Sequence, residues 1–240
     1  MADSNKNIMV LPGDGVGPEV VDETKKILEW FSKHQSVNFN IKDGLVGGAS
    51  YEKNGVPLTD ETLADSMEAD AILFGSVGGP QYDNLEFEKR PERGLLKLRK
   101  EMDLFANLRP AMVFPSLADS STLKSEIVSG LDILILRELT GGIYFAEPRG
   151  IETLDNGKKK GYDTNLYHTN EIERIGKVGF DLARLRNKKI TSVEKSNVMM
   201  SGILWKEVMT NLHLREGSDI ELNHMYADNC AMQLIRNPKQ

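Results

Sequence analysis

Ile8-Met-Val-Leu-Pro-Gly-Asp-Gly-Val-Gly-Pro-Glu19 decides how the rest of the chain is read. The apolar run Ile8 to Leu11 predicts a buried strand. Pro12 and the glycines Gly13, Gly15 and Gly17 turn the chain, and an amphipathic helix follows from about Glu19 to Phe31. A strand, a glycine turn and a helix in that order open an α/β domain. The glycine spacing is not G-x-G-x-x-G, so the common dinucleotide fingerprint is absent. By themselves these glycines do no more than permit a tight turn.

Working outward, the alternation continues. Val37 to Ile41 predicts a second strand, and 44–55 a glycine-rich loop. Thr59 and the acidic Asp60 and Glu61 open a helix. Ala69 to Phe74 predicts a third strand, which runs into Gly75-Ser-Val-Gly-Gly-Pro80. A glycine loop at the C-terminal end of a strand is where open α/β sheets take ligands. Gly94 to Glu101 predicts a helix with Leu95 and Arg99 on one face, suited to a ligand with one apolar and one acidic end. A strand from Leu104 to Leu108 then delivers Arg109, and Pro110 stops it. The guanidinium fork matches a carboxylate, so two arginines suit a di-acid. Taken alone, this stretch reads better as an ordinary amphipathic helix with solvated charges.

Beyond it, Leu123 to Val128 predicts a helix and Asp132 to Arg137 a central strand, followed by two glycines and Tyr144. Segments 143–146 and 162–167 flank the turn signal Asp155-Asn156-Gly157 and predict a protruding two-stranded arm. An isolated hairpin is marginal in water, so the arm wants a partner such as another copy of the chain. Helices at 170–185, 201–212 and 226–235 alternate with strands at 188–193 and 219–222. The expected division is 1–104 and 105–240, with the arm at about 142–167.

The 240 residues carry a net charge of −6 and one cysteine, Cys230. That balance disfavours nucleic acid, and a lone cysteine excludes an internal disulfide and fits a reducing compartment. No apolar run is long enough to span a bilayer, and the N-terminus shows no signal or transit pattern. The expectation is a soluble cytoplasmic protein.

Six blocks, in order, resemble the isocitrate/isopropylmalate dehydrogenase family of β-decarboxylating enzymes, its isopropylmalate members above all. They are 11–19, Gly75 to Pro80, Gly94 to Arg99, Asn107 to Pro110, Arg137 to Tyr144, and Lys195-Ser-Asn-Val198. The match runs from about residue 7 to the end, and Ser196 stands where alanine is usual. The resemblance implies a two-domain α/β fold with a β-arm and an incomplete first domain. The chain stops before the family's Asp-x-x-x-Asp metal pair and lacks the later loop for the adenosine half of NAD. The 240 residues alone are therefore expected to be inactive.

The resemblance also implies roles. Enzymes of this kind oxidise the 2-hydroxyl of 3-isopropylmalate with NAD and release carbon dioxide, in leucine biosynthesis, with Mg²⁺ or Mn²⁺. Arg99, Arg109 and Arg137 match the carboxylate clamps, and Leu95 and Leu96 the isopropyl pocket. Lys195 matches the base and Tyr144 the acid. Gly75, Ser76, Val77 and Asn197 match cofactor contacts, with Glu92 beside the nicotinamide. Val198 falls on the substrate side, and Asp228 matches a metal ligand donated by a second subunit. A homodimer with shared sites follows. The alternatives are a dehydrogenase for isocitrate, homoisocitrate or tartrate, or a truncated non-catalytic chain. Singly, each residue also reads as ordinary surface or packing; six ordered blocks favour the site.

Overall fold

A computed structural model describes residues 4–240, which form two units parting between Asp103 and Leu104. The first unit opens with β1 (Ser4–Gly13), α1 (Gly17–His34) and β2 (Val37–Asp43). It continues with α2 (Gly48–Asn54), α3 (Asp60–Glu68), β3 (Ala71–Ser76) and α4 (Pro91–Glu101). Its sheet is parallel, in the order β2-β1-β3. The centre of β1 is buried on both faces, which is why Ile8, Met9, Val10 and Leu11 run without alternation. Met9 and Leu11 join Val46, Leu58 and Leu98 in one core cluster, and Ile8 and Val10 join Val21 in another.

The second unit holds β4 (Ala106–Met112), the short α5 (Ser125–Val128) and β5 (Asp132–Glu138), with β4 and β5 antiparallel. A hairpin follows, β6 (Gly150–Thr153) and β7 (Lys159–Tyr162). Then come α6 (Thr169–Arg184), β8 (Lys189–Glu194), α7 (Met200–Glu216), β9 (Glu221–Tyr226) and α8 (Ala227–Arg236). β8 and β9 are parallel. The core here is Ile172, Phe180, Val208, Met209, Leu212 and Ile220, with Trp205 against it. Gly176 lets α6 approach α7: a Cβ there would lie 2.6 Å from Leu212 and 2.8 Å from the Met209 sulfur.

The chain is thus mixed α/β, as expected, and the departures are local. The segment 44–55 is not only loop, because Gly48–Asn54 forms α2. Gly55 closes it in the left-handed region at φ 75°, a helix-ending signal visible in the sequence. Pro110 does not stop β4 but lies inside it, opposite Leu134. A strand in a two-stranded ladder keeps a free edge, where proline's missing N–H costs no ladder bond. The arm's ladder lies nearer its tip than expected, at 150–153 and 159–162. At its base Arg149 Nη1 donates to the Tyr144 carbonyl at 2.6 Å and Thr164 Oγ1 to the Pro148 carbonyl at 2.7 Å. Those bonds, and a proline with no N–H, replace strand pairing there; only the Gly142–Leu166 bridge remains.

Candidate active site

In the first unit the C-terminal ends of β1 and β3 meet closely. The Asp14 amide donates to the Ser76 carbonyl at 2.6 Å, and Ser76 Oγ returns a bond to the Asp14 carbonyl at 2.7 Å. A Cβ on Gly13 would collide with the Ser76 carbonyl, and one on Gly75 with the Pro12 carbonyl. Glycine at these two positions is a steric requirement. Gly75 and Ser76 lie in this junction and Val77 follows it, all three half-exposed.

Asp14, which the sequence reading passed over, is buried there. Its carboxylate accepts the amides of Gly48 at 2.7 Å, Ala49 at 2.7 Å and Gly78 at 2.9 Å. Glu92, exposed in the first turn of α4, reaches the same loop: its Oε1 lies 2.6 Å from where a Cβ on Gly78 would stand. On α4 the buried residues are Pro91, Gly94 and Leu98. That inward stripe leaves Leu95, Leu96 and Arg99 half-buried, with surface to offer a ligand.

In the second unit the β4–β5 register sets Asn107 opposite Arg137 and Arg109 opposite Ile135. Opposed residues, and those two apart on one strand, share a face, so Arg109 and Arg137 are diagonal neighbours. Arg109 Nε donates to Asn107 Oδ1 at 2.7 Å. The Arg137 guanidinium lies 5.4 Å from the Tyr144 ring centroid, a cation–π contact with the half-exposed tyrosine.

The parallel ends of β8 and β9 bring Lys195 and Asp228 together, Nζ donating to Oδ1 at 2.6 Å. The Lys195 ammonium and the amides at the start of α8 hold the Asp228 carboxyl below the usual aspartate range. Lys195 is half-buried; Asn197 and Val198 are exposed. A Cβ on Gly202 would lie 2.6 Å from the Lys195 carbonyl carbon, so α7 begins tight against this turn. Behind it Ser192, Glu194 and His224 occupy one face of the ladder. Trp205 Nε1 donates to Ser192 Oγ at 3.1 Å, and Ser196 N–H donates to Glu194 Oε2. Burial pushes the His224 imidazole below its ordinary value, with Lys206 adding to the effect and Glu194 opposing it.

Among the described residues no three His, Cys, Asp or Glu side chains converge on one point. A hard divalent cation wants six or more oxygens. Asp228 could supply one; these residues do not build the site by themselves. Among the described residues there is also no helix long and apolar enough to cross a membrane.

This is an α/β protein with a glycine loop at a parallel strand end, paired arginines on a ladder face and a lysine–aspartate couple. The chain belongs to the isocitrate/isopropylmalate dehydrogenase family, whose profile matches residues 7–240. It is 59% identical over 235 residues to a 3-isopropylmalate dehydrogenase of Pelagibacter ubique and 57% identical over 235 residues to one of Paramagnetospirillum magneticum. Each match covers 98% of this chain but 64% of the relative, so the chain spans less than two thirds of their length. Among solved structures, an isocitrate dehydrogenase from Methylococcus capsulatus aligns with a TM-score of 0.82 at 28% identity. That alignment covers 98% of this chain and 64% of the other. An apo β-decarboxylating dehydrogenase from Thermococcus kodakarensis aligns at 0.70 and 29% identity, covering 97% and 61%.

Proposed function

We propose that this chain carries most of the substrate-handling groups of an NAD-dependent 3-isopropylmalate dehydrogenase, and that they work only when completed by further chain and by a second copy. The observation that carries the reading is the pairing of Arg109 and Arg137 on one face with Tyr144 against Arg137. Two guanidinium forks suit the two carboxylates of a substituted malate. A phenol held beside them can return a proton to the carbon that has lost carbon dioxide. In the first unit, Leu95 and Leu96 take the branched alkyl group and Arg99 adds a further guanidinium. Val198 borders the substrate.

Lys195 takes the proton of the 2-hydroxyl. To do so it must first release a proton to solvent and become the neutral amine, which breaks its ion pair with Asp228 and leaves that carboxylate's oxygens free for a cation. A bound nicotinamide cofactor would supply the acceptor for the hydride leaving C2. Gly75, Ser76 and Val77, with Glu92 beside them, and Asn197 on the second unit fit the nicotinamide end of that cofactor. The remaining Mg²⁺ or Mn²⁺ ligands come from outside the described residues.

Two copies are supported by what α7 and α8 leave uncovered. α7 buries Val208, Met209 and Leu212 yet also exposes Met200, Ile203 and Leu214, so it is apolar around much of its circumference. Such a helix belongs in an interior. α8 buries nothing and exposes Met232, Leu234 and Ile235. The arm shows Ile151, Leu154 and Tyr162.

The test joins residues 1–240 to the remaining C-terminal part of the Pelagibacter ubique relative and follows NADH formation. Turnover of 3-isopropylmalate well above that of isocitrate or tartrate is the expected result. Preference for a polar substrate would overturn the Leu95–Leu96 assignment. The 240 residues alone should give no turnover; activity without the added segment would contradict the dependence on further chain.

A further inference from the structure

Asp14 is 6% exposed, and its carboxylate faces three backbone N–H donors. Oδ2 accepts from Gly48 and Gly78, and Oδ1 accepts from Ala49. A carboxylate is acceptor-only and can serve all three. An asparagine of the same shape cannot, because its amide nitrogen would confront one of these amides with another donor. Two donors sit at the start of α2, which Tyr82 fixes from outside: a Cβ on Gly48 would collide with that ring. The third, Gly78, has φ 104° and follows Val77 in the loop leaving β3. Asp14 therefore ties a packed helix 34 residues away to an irregular loop 64 residues away. Glu92 closes on Gly78, and a Cβ on Gly47 would lie 2.7 Å from Val77 Cγ1.

We infer that Asp14 is the positioning residue of the Gly75–Gly78 loop: it presets the backbone that receives the nicotinamide end of the cofactor and touches no substrate itself. This rests on the proposal that the loop is a cofactor contact. A binding loop left irregular would be ordered at the cofactor's expense; one held by charge-assisted bonds is ordered beforehand.

Amide hydrogen exchange, read by NMR on the 240-residue chain, tests the clamp. Gly48, Ala49 and Gly78 should exchange as slowly as the amides of β1 and β3. Asp14→Asn should speed all three by roughly tenfold or more, leaving α6 and α7 unchanged. In Asp14→Ala, added formate should restore protection and formamide should not. Fast exchange at these amides in the unsubstituted chain would overturn the clamp even if neither variant folds. Nicotinamide mononucleotide is the probe for the loop's use. It should shift the Ser76, Val77 and Gly78 signals in the unsubstituted chain, and shift them less in Asp14→Asn at equal concentration. Equal shifts in both, with the amides loosened, would overturn the positioning role. No shift in the unsubstituted chain, with the amides protected, would instead remove the cofactor reading and with it the purpose given to Asp14.

Discussion

Of the parallel strand pairs, β1–β3 and β8–β9 both end in loops for which chemistry is proposed, and they end differently. At β1–β3 the chain closes on itself. Glycines fit against carbonyls, a buried carboxylate collects three amides, and Ser76 bonds back to Asp14. At β8–β9 the functional groups point outward. Val198 is 72% exposed, and the Asp228 side chain is 69% exposed with Lys195 as its ion-pair partner. The first end is a finished backbone cradle. The second presents its side chains outward, which fits the proposal of a site completed by another copy.

The largest effect should come from filling the first end. Gly13→Ala forces a side chain onto the Ser76 carbonyl at a φ of 74°, and Gly75→Ala forces one onto the Pro12 carbonyl. Either should cost about 4 kcal/mol or more and melt the first unit. Val198→Ser at the second end should leave the melting profile unchanged. If Gly75→Ala melts like the unsubstituted chain, the close junction is wrong.

Next come effects on turnover in the completed chimera. Lys195→Met should abolish oxidation while substrate still binds, and Tyr144→Phe should slow turnover. Leu95→Ser should lower kcat/KM for isopropylmalate about 10–200-fold while sparing malate. Equal losses on both substrates would remove the alkyl pocket from α4.

A smaller effect is electrostatic. The Asp228 carboxyl lies below the ordinary aspartate value of 3.8, chiefly through the Lys195 hydrogen bond. A depressed folded-state value stabilises above the unfolded one and is lost as pH falls through it. The pair should therefore persist at neutral pH and fail only as pH falls below the ordinary aspartate value. Carbon-13 NMR titration should show Lys195→Met returning Asp228 towards the ordinary range; an unchanged titration would mean the pair is absent in solution.

The smallest concerns His224. Burial lowers its value below 6.5, so the unfolded chain takes up the proton first. The second unit should lose stability as pH drops below that point, and His224→Gln should flatten the slope of melting temperature against pH.

Much of the scaffold was legible because it is local. Ile8 to Leu11 with its glycine turn, the acidic opening of α3 and the apolar run Ile133 to Leu136 each announce their element within a few residues. Asp14 was not legible: its partners lie 34, 35 and 64 residues away, and an aspartate between glycines reads as turn chemistry. The signal on offer was a carboxylate at a strand end with glycines on both sides. The helix α2 hid because it begins in glycines, although Gly55 marked its close. Lys195 and Asp228 were each singled out, but their contact depends on β8 and β9 being parallel neighbours, which no local pattern states. The arm was foreseen from Asp155-Asn156-Gly157, while its ladder was set by Arg149 and Pro148 at the base.

In a dimer with shared sites, we propose, the Lys195–Asp228 end of one copy serves a site whose arginines belong to the other. Mixing tests it most directly. Chimeras carrying Lys195→Met and Arg137→Ala are each expected to be inactive as homodimers. Unfolded and refolded together, they should recover turnover of 3-isopropylmalate from the one intact site in each mixed dimer. Mixed dimers that form and stay inactive would instead put both groups in one chain's site.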